Sequence, residues 1–179
     1  VEVSAVKHFA PQKVAGTFCE AVLRQDMFKF DCFVQDSKIS GAGLGLFTTS
    51  PIKRGQIIVY PNQENQTISH AEFIKLPEDS IEFASSIRWF EDTYTVDPEW
   101  NLECYFNHSF EASCLWHLGF VFALRDLKAG DELTIDYRVL LQEGGQLEYL
   151  DAETNLPIVG LSWRDKMLFT TKKLLEIFS

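Results

Sequence analysis

Asn107-His108-Ser109 and Glu132-Leu133-Thr134-Ile135-Asp136-Tyr137 bracket the stretch that decides the reading of this chain. Between them lies an apolar run, Leu115 to Leu124, and then the turn Arg125-Asp126-Leu127-Lys128-Ala129-Gly130-Asp131. The pattern predicts a polar triplet, one buried strand, a tight turn and a second strand that ends on a tyrosine. What Tyr137 faces then decides the chemistry open to the protein. Taken alone, Asn107-His108-Ser109 also fits the N-glycosylation acceptor pattern, as does Asn65-Gln66-Thr67; patterns this short recur by chance.

Working outward, the 179 residues suit one domain with a sizeable core. Apolar residues make up 46% and charged residues 23%, an ordinary balance for a soluble globular chain, and 15 phenylalanines supply bulk for that core. The net charge of −10 opposes phosphate backbones, so direct nucleic-acid binding is not expected, whereas a basic peptide suits the field. Cys19, Cys32, Cys104 and Cys114 show no C-x-x-C spacing, which argues against a zinc site built from them. Scattered cysteines fit an intracellular, reducing compartment, cytoplasm or nucleus. No apolar run reaches the length of a membrane span.

On the N-terminal side, residues 1–26 form a flank in which Val14, Phe18, Ala21 and Val22 have helical spacing, interrupted by Gly16. Phe28, Phe30, Cys32 and Val34 alternate with polar residues and predict a half-buried strand. Ser40-Gly41-Ala42-Gly43-Leu44-Gly45-Leu46-Phe47 places glycine at every second position, where the backbone can bend and approach a ligand closely. It is not a dinucleotide fingerprint, because Leu46 stands where the third glycine belongs and no helix follows. Gln56 to Tyr60 predicts another strand. Ser69 and Glu72 form a capping box for a short helix through Leu76, stopped by Pro77. Ile81–Phe90 and Thr93–Val96 predict a hairpin about Glu91-Asp92. Beyond Tyr137 the sequence predicts a hairpin within Tyr149–Val159. Ser162 and Asp165 then cap a last helix, whose Met167, Leu168, Thr171, Leu174, Leu175 and Phe178 should share the buried face. Short strands with few helices make the fold class mainly β (α+β) and exclude a doubly wound nucleotide fold.

Four of these stretches coincide, in order, with one family. Ser40–Phe47, Gly55–Tyr60, Asn101–Ser109 and Ala123–Tyr137 resemble the SET-domain protein lysine methyltransferases. The resemblance implies a SET domain over 27–140, built of small twisted sheets with a knot-like core. In that core the Asn-His-Ser segment is threaded against the segment ending in tyrosine, a rare arrangement. Residues 141–179, hairpin plus helix, would be a C-terminal flank completing the substrate channel. The resemblance further implies S-adenosylmethionine as methyl donor, S-adenosylhomocysteine as product, no metal, and a basic protein or peptide carrying the target lysine. By matching position, the backbone at Ala42, Gly43 and Leu44 would line the cofactor, Tyr105 would pack beside it, and Asn107 and His108 would hydrogen-bond its two ends. Tyr137 would be the catalytic tyrosine and Tyr60 its companion at the channel. Trp116 and Ile135 fall where the family sets how many methyl groups fit. Trp163 either closes the cofactor cleft from the last helix or is a plain core contact.

The sequence departs from the family in places. Phe110-Glu111-Ala112-Ser113 stands for the usual Cys-x-Pro-Asn, Cys104 occupies a common arginine position, and the cysteine-rich zinc flanks of many histone-specific members are absent. These departures keep a second class open beside the enzyme: a SET-fold interaction module that binds a partner without transferring a methyl group.

Overall fold

The computed structural model describes residues 27–61, 66–98 and 100–179; the helical spacing between Pro11 and Arg24 lies outside them. β1 (Cys32–Asp36) and β2 (Leu44–Thr48) form an antiparallel pair joined by the glycine-rich loop, where Gly41 and Gly43 take φ of +81° and +74°. Those values favour glycine, which lacks the Cβ that makes this region costly. The strand expected from Phe28 begins only at Cys32; Phe28 instead makes an isolated bridge to Val59.

β3 (Ile57–Val59) is followed by β4 (Gln66–Ser69), α1 (His70–Phe73) and α2 (Ile81–Ser85). The Ser69–Glu72 capping box is formed, and α1 stops short of Leu76. Ile81–Ser85 is helical rather than extended, because the Ser80 side chain accepts the Phe83 amide and starts a turn. The expected hairpin survives as β5 (Ile87–Phe90) and β6 (Thr93–Val96), with β4 on the other side of β6.

β7 (Asn107–His108), β8 (Cys114–His117), β9 (Phe120–Ala123) and β10 (Glu132–Ile135) complete the principal sheet, ordered β1-β2-β10-β8-β9-β3 with β7 also on β10. The apolar run read as one strand is thus a hairpin. Leu118 (φ 52°) and Gly119 (φ 88°) make its turn, and Trp116 pairs with Val121. β11 (Gln146–Leu150) and β12 (Pro157–Val159) form the later hairpin, and α3 (Trp163–Phe178) closes the chain behind its Ser162 cap.

α3 buries a different face from the one expected. Lys166, Thr170 and Ile177 are buried, whereas Leu168, Leu175 and Phe178 are exposed and Thr171 lies on the surface. The aliphatic part of Lys166 and the small Thr170 fit against β8, a packing that apolar counting does not detect.

Two apolar clusters result. The larger is built on Leu46, Ile58, Leu102, Phe106, Trp116, Val121, Leu133 and Ile135. The smaller joins Phe73, Phe83 and Tyr94 to Tyr137, Leu141, Leu147 and Ile158, with the Phe73 and Tyr94 rings stacked 4.4 Å apart. Tyr137 belongs to the smaller cluster, and its hydroxyl reaches the backbone of Phe106 in the larger one. The architecture is mostly β, with curled sheets, few helices and one long C-terminal helix.

Candidate active site

The site begins with the parallel pairing of β7 and β10, in which Asn107 lies opposite Thr134 and His108 opposite Ile135. The Ser109 amide donates to the Ile135 carbonyl at 3.3 Å, continuing the register. This pairing brings residues about thirty positions apart in the chain side by side. The Tyr137 amide donates to His108 Nδ1 at 3.0 Å, and the Tyr137 hydroxyl donates to the Phe106 carbonyl. Asp136 accepts the Arg138 amide at 3.1 Å, so Tyr137 opens a short 3₁₀ turn (Tyr137–Val139) rather than ending a strand.

Because His108 Nδ1 is an acceptor, the neutral ring carries its hydrogen on Nε2. Burial lowers the His108 pKa, against the pull of Asp136 and Asp151. Nε2 is buried and makes no hydrogen bond; Asp151 Oδ1 stands 3.5 Å away. Burial works to raise the Asp151 pKa, but the hydroxyl and amide of Thr154 hold it below the ordinary carboxylate value. The Tyr137 phenol is raised well above its usual pKa, chiefly by burial. It stays protonated at neutral pH and acts as a donor, not as a phenolate base.

Asn107 is fixed from the opposite side. Its Nδ2 donates to the Leu44 carbonyl at 3.0 Å and to Glu132 Oε1 at 2.9 Å. Glu132 is buried and also accepts from the Ser37 hydroxyl (2.6 Å) and the Lys38 amide (2.8 Å). One carboxylate thus ties the glycine-rich loop to Asn107.

A cavity of about 370 Å³ opens between these elements and the β5–β6 hairpin. Ala42, Leu44, Asn107, His108, Trp116, Ile135 and Tyr137 all line it. Gly43 lies between two of the lining residues without lining it itself. Tyr105 packs edge-on to Trp100, a lining residue, with ring centroids 6.4 Å apart. Tyr60 is 42% exposed, lies outside the cavity wall, and donates its amide to Met27. Trp163 is also outside the wall, stacked near the Arg88 and Lys166 cations.

Sequence reasoning missed part of this wall. Ser85, Asp97, Trp100, Asn101 and Glu103 line the cavity, and Trp100 Nε1 is buried without a hydrogen bond. Asn101 donates to Asp97 Oδ2 at 2.6 Å and accepts the Glu103 amide at 3.0 Å. Burial, with Asp97 nearby, pushes Glu103 up to about 7. Asn101 lies in a segment quoted for its resemblance, but no spacing rule pointed its side chain inward.

The side chains of His108, Asn107 and Trp100, on a largely apolar hollow beside the open loop at Gly41, suit a ligand with both polar and aromatic parts. Among the described residues, no group of three or more His, Cys, Asp or Glu side chains is placed to hold a metal ion, and no helix is long and apolar enough to cross a membrane.

The sequence profile of the SET domain matches residues 43–138, more than half of the chain and the stretch that builds the β7–β10 pairing and most of the cavity wall. The chain belongs to the SET-domain family. Its fold is similar to that of an active polycomb repressive complex 2 in the stimulated state (TM-score 0.51, 19% identity, 74% of this chain and 18% of that chain). It is similar also to that of a humanized mutant of the Chaetomium thermophilum complex bound to an inhibitor (TM-score 0.52, 18% identity, 82% and 22%). This SET domain spans about a fifth of the length of those chains, and at such identity the likeness is one of fold. No curated protein matches the chain.

Proposed function

We propose that this SET domain is a protein lysine N-methyltransferase that uses S-adenosylmethionine and acts on a lysine in a basic protein or peptide. The observation that supports this reading best is the convergence of Ala42, Leu44, Asn107, His108 and Tyr137 on one cavity that also has the apolar walls Trp116 and Ile135.

Bound against the Ala42–Leu44 backbone, Asn107 and His108, S-adenosylmethionine would supply a sulfonium-activated methyl carbon to which the lysine nitrogen bonds as the carbon–sulfur bond breaks. The chain's own residues have three tasks. The first is alignment along the line of attack, which the fixed Asn107 and the Tyr137 hydroxyl provide. The second is a neutral amine: with a pKa of about 10.4, deprotonation at about pH 7.4 costs about 4 kcal/mol in water. The buried walls Trp116, Val121 and Ile135 reduce that cost by disfavouring the ammonium form. The third is orientation of the amine lone pair: with its own hydrogen given to the Phe106 carbonyl, the Tyr137 oxygen can accept an amine N–H and leave the lone pair free to face the methyl carbon. The amine's proton passes to solvent.

On this reading residues 141–179 complete the channel, since Leu141, Tyr149 and Leu150 lie on the cavity wall. Cys32, Cys104 and Cys114 are unpaired, and burial pushes each thiol up to about 12, which accords with a reducing compartment. The position of Tyr60 outside the cavity favours a second reading, the SET-fold module that binds a partner without methyl transfer.

Transfer of labelled methyl groups to basic peptides and cell-extract proteins separates the two. Wild type should label lysine, and Tyr137→Phe should lose roughly a hundredfold in rate, the size typical of removing one positioned hydrogen-bonding group. Calorimetric binding of the cofactor without transfer to any protein would favour the module. Neither binding nor transfer would sink both the cofactor and the enzyme.

A further inference from the structure

One buried cation has no part in this chemistry. Lys166 on α3 is 1% exposed, yet among the described residues no carboxylate pairs with it. Its Nζ donates to the carbonyls of Arg88 (2.6 Å) and Trp89 (3.1 Å), where the pairing of β5 with β6 shifts register. The same Nζ stands 4.2 Å from the centre of the Trp116 ring. One turn further along α3, Thr170 bonds both the Lys166 carbonyl (2.8 Å) and His117 Nδ1 (2.9 Å), which anchors the helix to the residue after Trp116.

Packing alone does not call for a lysine here. A buried charge is seldom more stabilising than an apolar side chain of the same volume. What the ammonium adds is a directional attraction to an indole face, strengthened by desolvation. The indole is also a partition. Trp116 lines the cavity that holds Tyr137 and a second cavity of about 390 Å³ beneath Phe110 and Phe169. Trp116 is buried, and Lys166 is seated against its ring, where it can fix the plane of the indole between the two cavities.

We propose that Lys166 is a positioning residue that holds the Trp116 indole as one wall of the lysine channel and so sets how many methyl groups the channel admits. The part concerning methyl number rests on the methyltransferase reading; the part concerning the ring does not.

The test uses the full chain labelled with fluorotryptophan, its four resonances assigned by single substitution. Burial, with Arg88 adding to it, lowers the Lys166 pKa to about 7, so spectra are taken near pH ~6, where the ammonium prevails. Wild type and Lys166→Arg should give one sharp Trp116 line. Lys166→Met keeps the volume and loses the charge, and it should split or broaden that line, a change of roughly three- to tenfold in the balance of ring orientations. A Trp116 line of unchanged position and width in a folded Lys166→Met protein overturns the proposal. So would an equal change in all four lines, which would mark a general loosening.

Methyl counting by mass spectrometry then reads the channel. Lys166→Met should shift the ratio of mono-, di- and trimethyl product in the same direction as Trp116→Leu, and should add nothing in the Trp116→Leu background. An unchanged ratio, or an additive one, counts against it. A wild type that neither binds cofactor nor transfers methyl would overturn the proposed function while leaving the ring result intact.

Discussion

A Cβ added at Gly45 would stand 2.3 Å from Glu132 Oε1 and 3.0 Å from Asn107 Nδ2. Glu132 cannot withdraw without releasing Ser37, Lys38 and Asn107 together. Gly45→Ala should therefore destabilise the fold by about 1–3 kcal/mol, the cost of leaving buried hydrogen-bonding groups unpaired. Urea denaturation measures it, and calorimetry should find weaker cofactor binding through the displaced Asn107. Glu103 supplies a second prediction at this scale. Its carboxyl is raised from 4.5 to about 7, so between those values the folded state holds more protons than the unfolded chain. Stability associated with Glu103 is thus fully present below about pH 4.5 and lost as pH rises through about 7. Glu103→Gln should be more stable than wild type at about pH 8, and the advantage should fade near pH ~4.5 in paired thermal melts. An advantage that is the same at both pH values would remove this account. These two acids also show what single residues disclose in a sequence. That Asn107, His108 and Tyr137 would be brought to one cavity was legible because the two segments that pair there are short strings. Glu132 stood in the same string, but its role depends on Ser37 and Lys38, 95 and 94 positions away, and no local pattern encodes that distance.

The β8–β9 hairpin carries the corresponding lesson for elements. Its turn residues Leu118 and Gly119 both have positive φ, the geometry that matches strand twist in a two-residue turn. Asparagine or aspartate normally marks the first of these positions. With leucine there the apolar run continues unbroken, and period counting finds one strand where the chain makes two. The leucine is held in a region L side chains adopt at a cost, so Leu118→Asn should stabilise the protein by about 0.5–1 kcal/mol. Gly119→Ala should do the opposite, because its Cβ would meet Trp89 Nε1 at 2.9 Å and Pro61 Cβ at 3.1 Å. Thermal unfolding of the two variants reads both signs. α2 and α3 failed for related reasons. Ile81, Phe83 and Ile87 alternate like a strand, but the Ser80 cap wins locally. On α3 a lysine and a threonine take buried positions while three large apolar residues remain outside. Caps such as Ser69–Glu72 and Ser162 were readable because their whole mechanism fits within four residues.

For the molecule as a whole, the question is whether residues 27–140 are a unit to which 141–179 is merely appended. The order of the four matching stretches was enough to read the fold, yet nothing in it revealed how the last forty or so residues share the core. Tyr137 is packed in a cluster with Leu141, Leu147 and Ile158, all buried and all beyond residue 140. The connection continues through the backbone. The Leu161 amide donates to the Arg138 carbonyl at 3.0 Å, and the buried Arg88 donates back to the Leu161 carbonyl at 3.0 Å. Removing residues 141–179 would expose Tyr137 to water, leave the Lys166 acceptors on β5 without their donor, and open the Trp116 wall from behind. A chain ending at Leu140 should then lack a cooperative thermal transition, because one of its two clusters is halved and the other loses its α3 cover. A milder variant keeps that outcome interpretable. Ile158→Ala in the full chain removes a fully buried side chain from the smaller cluster and should cost about 2–4 kcal/mol while leaving unfolding two-state. If the shortened chain melts cooperatively and Ile158→Ala costs almost nothing, the hairpin and helix are an accessory. If both losses appear, the surroundings of the candidate catalytic tyrosine are built by the whole of 27–179, and no shorter piece should bind cofactor.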